Sequence, residues 1–339
     1  AMVRSAGFEP VVVGLADEHS GADCARFGDV EVIAVPTAGP RMLGFAPRLD
    51  DTLRRAGLDL LHLHGIWTDP SRAAGAGARS AGRPLVISPH GMLDPWILGR
   101  GRWKKAIARA AYERRSWAQA SAFHALTTAE QRDIEQSTGR SGIATVIPNA
   151  VQPARSAGSD RRHIFLYLGR IHPKKNVETL VDAWTGISPP PGARLVIAGW
   201  GSDEDVASLT RKVAAARQAE FVGPRFGEEK LALLSEARFL CLPSHSEGLP
   251  MAILEAWAEG TPTLMSRHCH LDEGFAAGAA IDCGTEVDQI AAALGQALSA
   301  DWPAMSSAAL DLVRDRFSPE SVAVRWKALY DQLLTGGRN

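Results

Sequence analysis

The chain has 339 residues, 45% hydrophobic and 22% charged, with a formal net charge of −1 at pH 7. That length accommodates two core-bearing domains, and the balance excludes a disordered, fibrous or strongly basic protein; with no overall attraction to nucleic acid, an anionic partner must be met by a local patch. Cys24, Cys241, Cys269 and Cys283 are irregularly spaced with no CxxC, which argues for a reducing cytoplasm over a disulfide framework or zinc module, and no membrane-length apolar run or signal-peptide pattern is found.

Taken in chain order, short apolar runs at 10–15, 30–35, 58–64, 84–88, 122–127 and 144–148 alternate with helical patterns, which predicts buried parallel strands of an α/β sheet. The stretch "NAVQPARSAGSDRR", 149–162, breaks that pattern with Pro, Gly, Ser and charge, and is read as an interdomain linker. Strand patterns resume at 163–169, 193–199, 219–223, 237–243 and 261–266, a second doubly wound domain, and residues 319–334 read as a helix with an apolar face to dock. The domains expected are 1–155 and 156–317, with the terminal helix 318–339 packing back on the first. Two such domains facing each other would form a cleft at the carboxyl ends of their strands, where open α/β sheets bind ligands.

In the first domain, "LDLLHLHGIW" puts His62 and His64 in phase on one strand face, and "VISPHGMLDPW" puts His90 and Gly91 just past the next strand. A satisfied core pair and a ligand-facing His64 both fit the first pattern; a metal site does not. The segment 96–117 combines Trp96, Trp103 and Trp117 with Arg100, Arg102, Lys104, Lys105, Arg109, Arg114 and Arg115. Such a helix suits an anionic lipid surface or a phosphorylated lipid-linked acceptor, and a solvated helix with core tryptophans explains it equally well.

In the second domain, "YLGRIHPKKNVETLVDAW" places Arg170, Lys174 and Lys175 between a strand end and a helix start after Asn176. Three cations at a helix N-terminus form a diphosphate clamp, with a merely solvated basic loop as the alternative. "GWGSDE" is an incomplete GxGxxG, weak evidence for a dinucleotide, and Ser202 with Asp205 reads as a capping box rather than a metal-binding DxD. "SHSEGLPMAILEAW" reads as a loop followed by a helix from near Pro250 to Gly260. Glu247 falls in the loop, Gly248 lets backbone approach a ligand, and the helix start offers N–H groups to an anion. Glu255 lies about 7 to 8 Å further along the axis, so the two carboxylates should stand about 8 to 12 Å apart around that anion. This suits two hydroxyl-bearing rings joined by a diphosphate; an exposed Glu255/Glu259 stripe is the alternative. "RHCH", 267–270, has poor zinc geometry, and no metal is expected.

These residues resemble the retaining nucleotide-sugar glycosyltransferases of family 4, which have the GT-B fold of two Rossmann-like domains facing across a cleft. "EGLPMAILE" is similar to that family's Glu-x7-Glu signature, "GRIHPKKN" to its Gly-Arg-x4-Lys loop, and "IPNAV" to its Pro-Asn-Gly-Val junction. The opening "AMVRSAGFEPVVVGL" resembles the end of the family's first helix and its second strand, so a GT-B fold without the first strand and Gly-rich loop is expected. The resemblance implies that Arg170 and Lys175 neutralise the donor diphosphate, Glu255 holds the ribose and Glu247 holds hydroxyls of the transferred sugar. It implies that His90 and Gly91 contact that sugar, that the backbone at Gly248, Leu249 and Pro250 faces sugar or phosphate, and that the region of Val222 meets the base.

No cofactor or metal is implied beyond the nucleotide-sugar cosubstrate. Transfer with retention to a saccharide or lipid-linked hydroxyl is expected, in exopolysaccharide or lipid-linked oligosaccharide assembly. The location expected is cytoplasmic, with a peripheral place on the inner face of the membrane through 96–117. A nucleotide-sugar epimerase or hydrolase of the same fold, or a non-catalytic nucleotide-binding subunit, are the alternatives.

Overall fold

A computed structural model describes residues 2–99, 101–154 and 163–336. Arg100, the side chain of Trp96, residues 155–162 of the expected linker and the expected boundary between 155 and 156 lie outside the described residues. The chain divides into two units, Ala1–Pro148 with Ala323–Asn339, and Asn149–Val322.

The first unit holds strands β1 (Val11–Leu15), β2 (Glu31–Val35), β3 (Leu61–His64), β4 (Leu85–Ser88), β5 (Ala122–Ala125) and β6 (Ala144–Val146). All are parallel, but they form two sheets, a β1–β2 pair and a β3–β4–β5–β6 sheet, instead of the one sheet expected from the alternating pattern. The reason is visible in the packing: Val13, Leu15, Ile33 and Val35 build a small core of their own with Ala46, Leu49 and Ala73. A separate cluster carries Leu61, Leu63, Leu85, Ile87 and Phe123 of the four-stranded sheet. Helix Asp69–Ala81 lies close against helix Arg114–Gln119, since a β-carbon on Gly75 would stand 2.8 Å from the Ser116 Cα. Helix Pro319–Gly336 buries Val322, Ala323, Trp326, Leu329 and Tyr330, the three-and-four spacing of one helix face.

The second unit is one parallel sheet of β7 (Ile164–Leu168), β8 (Arg194–Ala198), β9 (Ala219–Gly223), β10 (Phe239–Leu242), β11 (Thr263–Met265) and β12 (Ala280–Asp282), in the order β12-β11-β10-β7-β8-β9. Every residue of β7, β10 and β11 is buried, as expected for central strands covered on both faces. The chain runs β7, β8, β9 to one side, then returns past β7 to lay down β10, β11 and β12 on the other. The strand order therefore reverses between β7 and β10, and the loops leaving their carboxyl ends diverge there, opening the crevice in which such sheets bind ligands.

Two constellations at the carboxyl ends of the sheets

In the second unit the β7 and β10 loops meet at this reversal. After β7 the chain makes a short 3-10 turn, Pro173–Lys175, and Asn176 takes a left-handed conformation (φ 60°) before helix Val177–Gly186 begins. That conformation aims the Asn176 amide back across the sheet, where Nδ2 donates to the carbonyls of Pro243 at 3.1 Å and Thr285 at 2.8 Å. The His245 N–H adds a bond to the Lys174 carbonyl at 2.9 Å. With the two loops tied together, Lys175 Nζ donates to both carboxylate oxygens of Glu247, at 2.6 and 2.5 Å.

Glu247 is 8% exposed and also accepts from the Ser244 hydroxyl at 2.6 Å. A buried carboxylate needs such partners, because desolvation costs several kcal/mol unless a counter-charge and hydrogen bonds offset it. Arg170, in the same loop, is exposed, and its carbonyl accepts from the buried Tyr167 hydroxyl at 2.8 Å, fixing the turn that presents it. Burial pushes the Tyr167 hydroxyl well above its usual pKa, so it stays a donor.

Glu255 lies on helix Met251–Ala258 and pairs with Lys230 of helix Gly227–Glu236 at 2.7 Å. Each glutamate of the Glu-x7-Glu spacing thus has its own lysine, and Lys230 had no signal in the sequence because its partner lies on another helix. Gly248 is exposed, and a β-carbon there would meet nothing within 4 Å, so neither packing nor backbone angle requires glycine. Leu249 turns its partly buried side chain to the core and Pro250 is the N-cap, which leaves backbone alone to face outward. Val222 is partly buried inside β9.

The incomplete glycine motif has a packing origin. A β-carbon on Gly199 would lie 2.0 Å from the Gly169 carbonyl oxygen, and one on Gly201 would lie 2.4 Å from that of Ile171. Both glycines let the β8 loop run against the residues after β7, where the Ile171 N–H donates to the Trp200 carbonyl at 2.6 Å. Trp200 stands 49% exposed between them, its ring 5.4 Å from that of Phe226, itself 61% exposed. Sequence reasoning did not single out this aromatic pair. At 202–205, Ser202 Oγ accepts the Asp205 N–H at 3.2 Å, the helix-capping contact expected. Cys269 of "RHCH" is fully buried with its thiol 3.6 Å from the Leu242 carbonyl, and burial raises its pKa, the setting of a core residue.

In the first unit the histidines separate into two groups. His62 Nδ1 lies 2.7 Å from the Tyr330 hydroxyl and Nε2 2.6 Å from Ser88 Oγ; Ser88 Oγ is 2.7 Å from His124 Nδ1, and His124 Nε2 is 2.6 Å from the Ile147 carbonyl. Burial and the neighbouring imidazoles depress His62 well below the usual value, and burial lowers His124 to about 4, so both are neutral at pH 7. The direction of every bond then follows, because the Ile147 carbonyl only accepts. His124 carries its proton on Nε2, Ser88 donates to His124, His62 donates from Nε2 to Ser88, and Tyr330 donates to His62. His124 and Tyr330 were not anticipated as partners.

His64 is exposed, and its Nδ1 lies 2.9 Å from His90 Nε2 with the rings stacked at 11°. His62 is thus a satisfied histidine of this line, and His64 faces His90. His90 is exposed with φ 53° and Gly91 follows at φ 75°.

The segment 96–117 also separates. Trp117 is core at 4% exposure, Lys105 donates to the Ile97 carbonyl, and Arg109 donates to the Ser137 carbonyl at 2.6 Å. Arg102, Lys104, Arg114 and Arg115 are exposed, with Trp103 at 65% and Ile107 at 60% one helical turn apart. No helix among the described residues is long and apolar enough to cross a membrane.

Residues 1–150 match the family of glycosyl transferase 4-like domains and residues 162–300 the glycosyl transferases group 1. The chain is similar to the glycogen synthase of Mycobacterium tuberculosis, 29% identical over 313 residues, which covers 84% of this chain and 73% of the relative. It is also similar to a D-inositol 3-phosphate glycosyltransferase of Nocardiopsis dassonvillei, 27% identical over 306 residues, 81% of this chain and 69% of the relative. Among solved structures, Anabaena Alr3699/HepE in complex with UDP superposes with a TM-score of 0.79 at 18% identity, covering 98% of this chain and 95% of that one. The HepE complex with UDP-glucose gives 0.75 at 18% identity, over 98% and 94%. Its parallel sheets and these likenesses give the chain the GT-B fold of two Rossmann-like units, and it belongs to the group 1, family 4-like glycosyltransferases.

Proposed function

We propose that the chain transfers a sugar from a nucleotide diphosphate donor to a hydroxyl acceptor with retention at the anomeric carbon and without a metal. The observation that carries this is the Lys175–Glu247 pair at the point where the second sheet reverses. A donor diphosphate placed there competes with Glu247 for Lys175, with Arg170 on the same loop as the second cation. Glu247, released from Lys175, accepts from hydroxyls of the transferred sugar, Glu255 takes the ribose, and the backbone at Gly248 faces the phosphates. The exposed ring pair Trp200–Phe226, with Val222 at the end of the neighbouring strand, supports a stacking place for a planar base. HepE has been seen with UDP and UDP-glucose, which favours a uridine diphosphate donor.

The second unit is thus assigned the donor, and the first unit the acceptor and His90, which acts beside the transferred sugar. The bond from anomeric carbon to phosphate oxygen breaks as the acceptor oxygen bonds on the same face, and the acceptor proton passes to the leaving phosphate. Cationic side chains and helix N-termini stabilise the departing charge, the electrostatic work that a metal does elsewhere.

The test is a titration with UDP and UDP-glucose, following binding and UDP release in chelator with a panel of saccharide acceptors. Glu247→Ala is expected to lower turnover by about 1000-fold, an effect of the size seen when a transition-state partner is removed, while UDP affinity holds or rises because Lys175 is freed. A Glu247→Ala enzyme of unchanged turnover contradicts the assignment.

The exposed Trp103 and Ile107, one helical turn apart and accompanied by the exposed Arg102, Lys104, Arg114 and Arg115, support a peripheral place on an anionic membrane, close to a lipid-linked acceptor in polysaccharide assembly on its cytoplasmic side. Co-sedimentation with anionic liposomes at low salt, lost on Trp103→Glu, is the expected outcome; indifference to such liposomes removes this part of the proposal.

A further inference from the structure

Two non-glycine residues in the first unit hold left-handed backbone at the carboxyl ends of adjacent strands: Trp67 after β3, with φ 76°, and His90 after β4, with φ 53°. Such conformations cost about 1 kcal/mol or more each and persist only where the surroundings enforce them. In both loops the enforcing group is a buried glutamate. Glu130, 6% exposed, accepts the Gly91 N–H at 2.6 Å on one oxygen and the Leu126 N–H at 2.8 Å on the other. It is the third residue of a helix capped by Thr127, where a glutamate ordinarily turns back to the cap's own N–H; here it reaches to the loop after His90 instead.

Glu113, fully buried, accepts the Trp67 N–H at 2.5 Å and the Ser71 hydroxyl at 2.7 Å. It closes a π-turn, Arg109–Glu113, and the preceding Tyr112 donates its hydroxyl to the Trp67 carbonyl at 2.9 Å. The wider turn lets two neighbouring residues hold the N–H and the C=O of Trp67, one in each of the two peptide units that flank its Cα. The loops are joined to each other as well, by His64 Nδ1 to His90 Nε2 at 2.9 Å and by the Trp67 indole N–H to the Met92 carbonyl at 3.4 Å.

We propose that Glu130 and Glu113 are positioning residues: each clamps one strained loop by its backbone, and together they fix the His64–His90 contact that sets the ring orientation of His90. Neither forms an ion pair among the described residues, although a buried carboxylate without a counter-charge is costly. A single-acceptor group does not replace either one, because two separate donors must be held at once. The proposal rests on the role assigned to His90.

Glu130→Gln and Glu113→Gln keep shape and volume while supplying one amide oxygen where two carboxylate oxygens act. In the full-length protein, ¹H–¹⁵N spectra of the imidazoles, amide exchange at Gly91, UDP affinity, and kcat and KM for UDP release from UDP-glucose are measured. Expected in Glu130→Gln are displaced His64 and His90 ring signals, at least tenfold faster Gly91 exchange and at least tenfold lower kcat, with UDP affinity within twofold of wild type. Glu113→Gln should displace the same ring signals and leave Gly91 exchange unaltered. Unchanged ring signals in the folded variants overturn the clamping, even where thermal stability falls, since a merely structural carboxylate does that too. A His90→Ala enzyme with wild-type turnover instead overturns the role of His90, and the ring signals still judge the two glutamates.

Discussion

At the carboxyl end of the second sheet, Lys175 and Glu247 meet as an ion pair; in the first sheet, His62, Ser88 and His124 meet as neutral groups, although Glu247, Ser88 and His124 are all buried. The difference lies in what each surrounding allows. Glu247 is held by a lysine that is still a quarter exposed and by a serine hydroxyl, and it lies beside a helix start, so the carboxylate has a counter-charge and a donor. Among the described residues, His124 hydrogen-bonds to a hydroxyl and a carbonyl, and no ion pair is formed there to receive a proton added to the imidazole. One sheet end pairs a lysine with a carboxylate, the other keeps each proton on a fixed atom.

The sharpest break of that contrast is Lys175→Ala, which leaves Glu247 buried without its cation. A loss of about 3 kcal/mol in urea denaturation is expected, reduced from the fully buried case by the partial exposure of Lys175. The double change Lys175→Ala with Glu247→Ala should recover most of it, and a double variant as unstable as the single one would show that the charge was not the cause.

The next effect sharpens the neutral side. An unfolded histidine titrates near 6.5, whereas His124 in the fold is lowered to about 4, so between those values the unfolded chain binds the extra proton. Stability from this group is full above pH 6.5 and declines as pH falls toward 4, by roughly 2 kcal/mol at pH 5, with His62 acting in the same direction. Denaturation curves at pH 7 and 5 check the slope, and His124→Gln should flatten it.

The smallest effect separates stacking from charge within the second unit. Trp200→Ala should weaken UDP binding about fivefold to tenfold without changing thermal stability, because half of that ring is already in solvent. An unchanged affinity would place the base elsewhere.

The features legible in the sequence share one property: residues adjacent in the chain carry them. The strands of the second unit appear as apolar runs, and the Arg170–Lys175 and Glu247–Glu255 segments show strand, loop and helix start in succession. β12 was missed because Ala280–Asp282 offers three residues and one buried side chain. The split of the first sheet depends on which edge a strand pairs with, and "VVVGL" reads alike in either case. Lys230, Glu113 and Glu130 look like ordinary helix-surface charges until the fold brings Glu255, Trp67 and Gly91 to them. Trp200 and Phe226 are 26 positions apart, and only the β8–β9 pairing makes them neighbours.

The line from Tyr330 to the Ile147 carbonyl gives each middle member one proton to offer and one to receive. Changing His62 alone to an apolar residue would orphan a donor on one side and an acceptor on the other, and each buried orphan costs about 1 to 3 kcal/mol. Removing Tyr330 as well would spare the first of these losses. Substitutions along this line are therefore strongly non-additive. Over evolutionary time positions 62, 88, 124 and 330 should drift as one linked inheritance, changing in compensated pairs rather than one at a time.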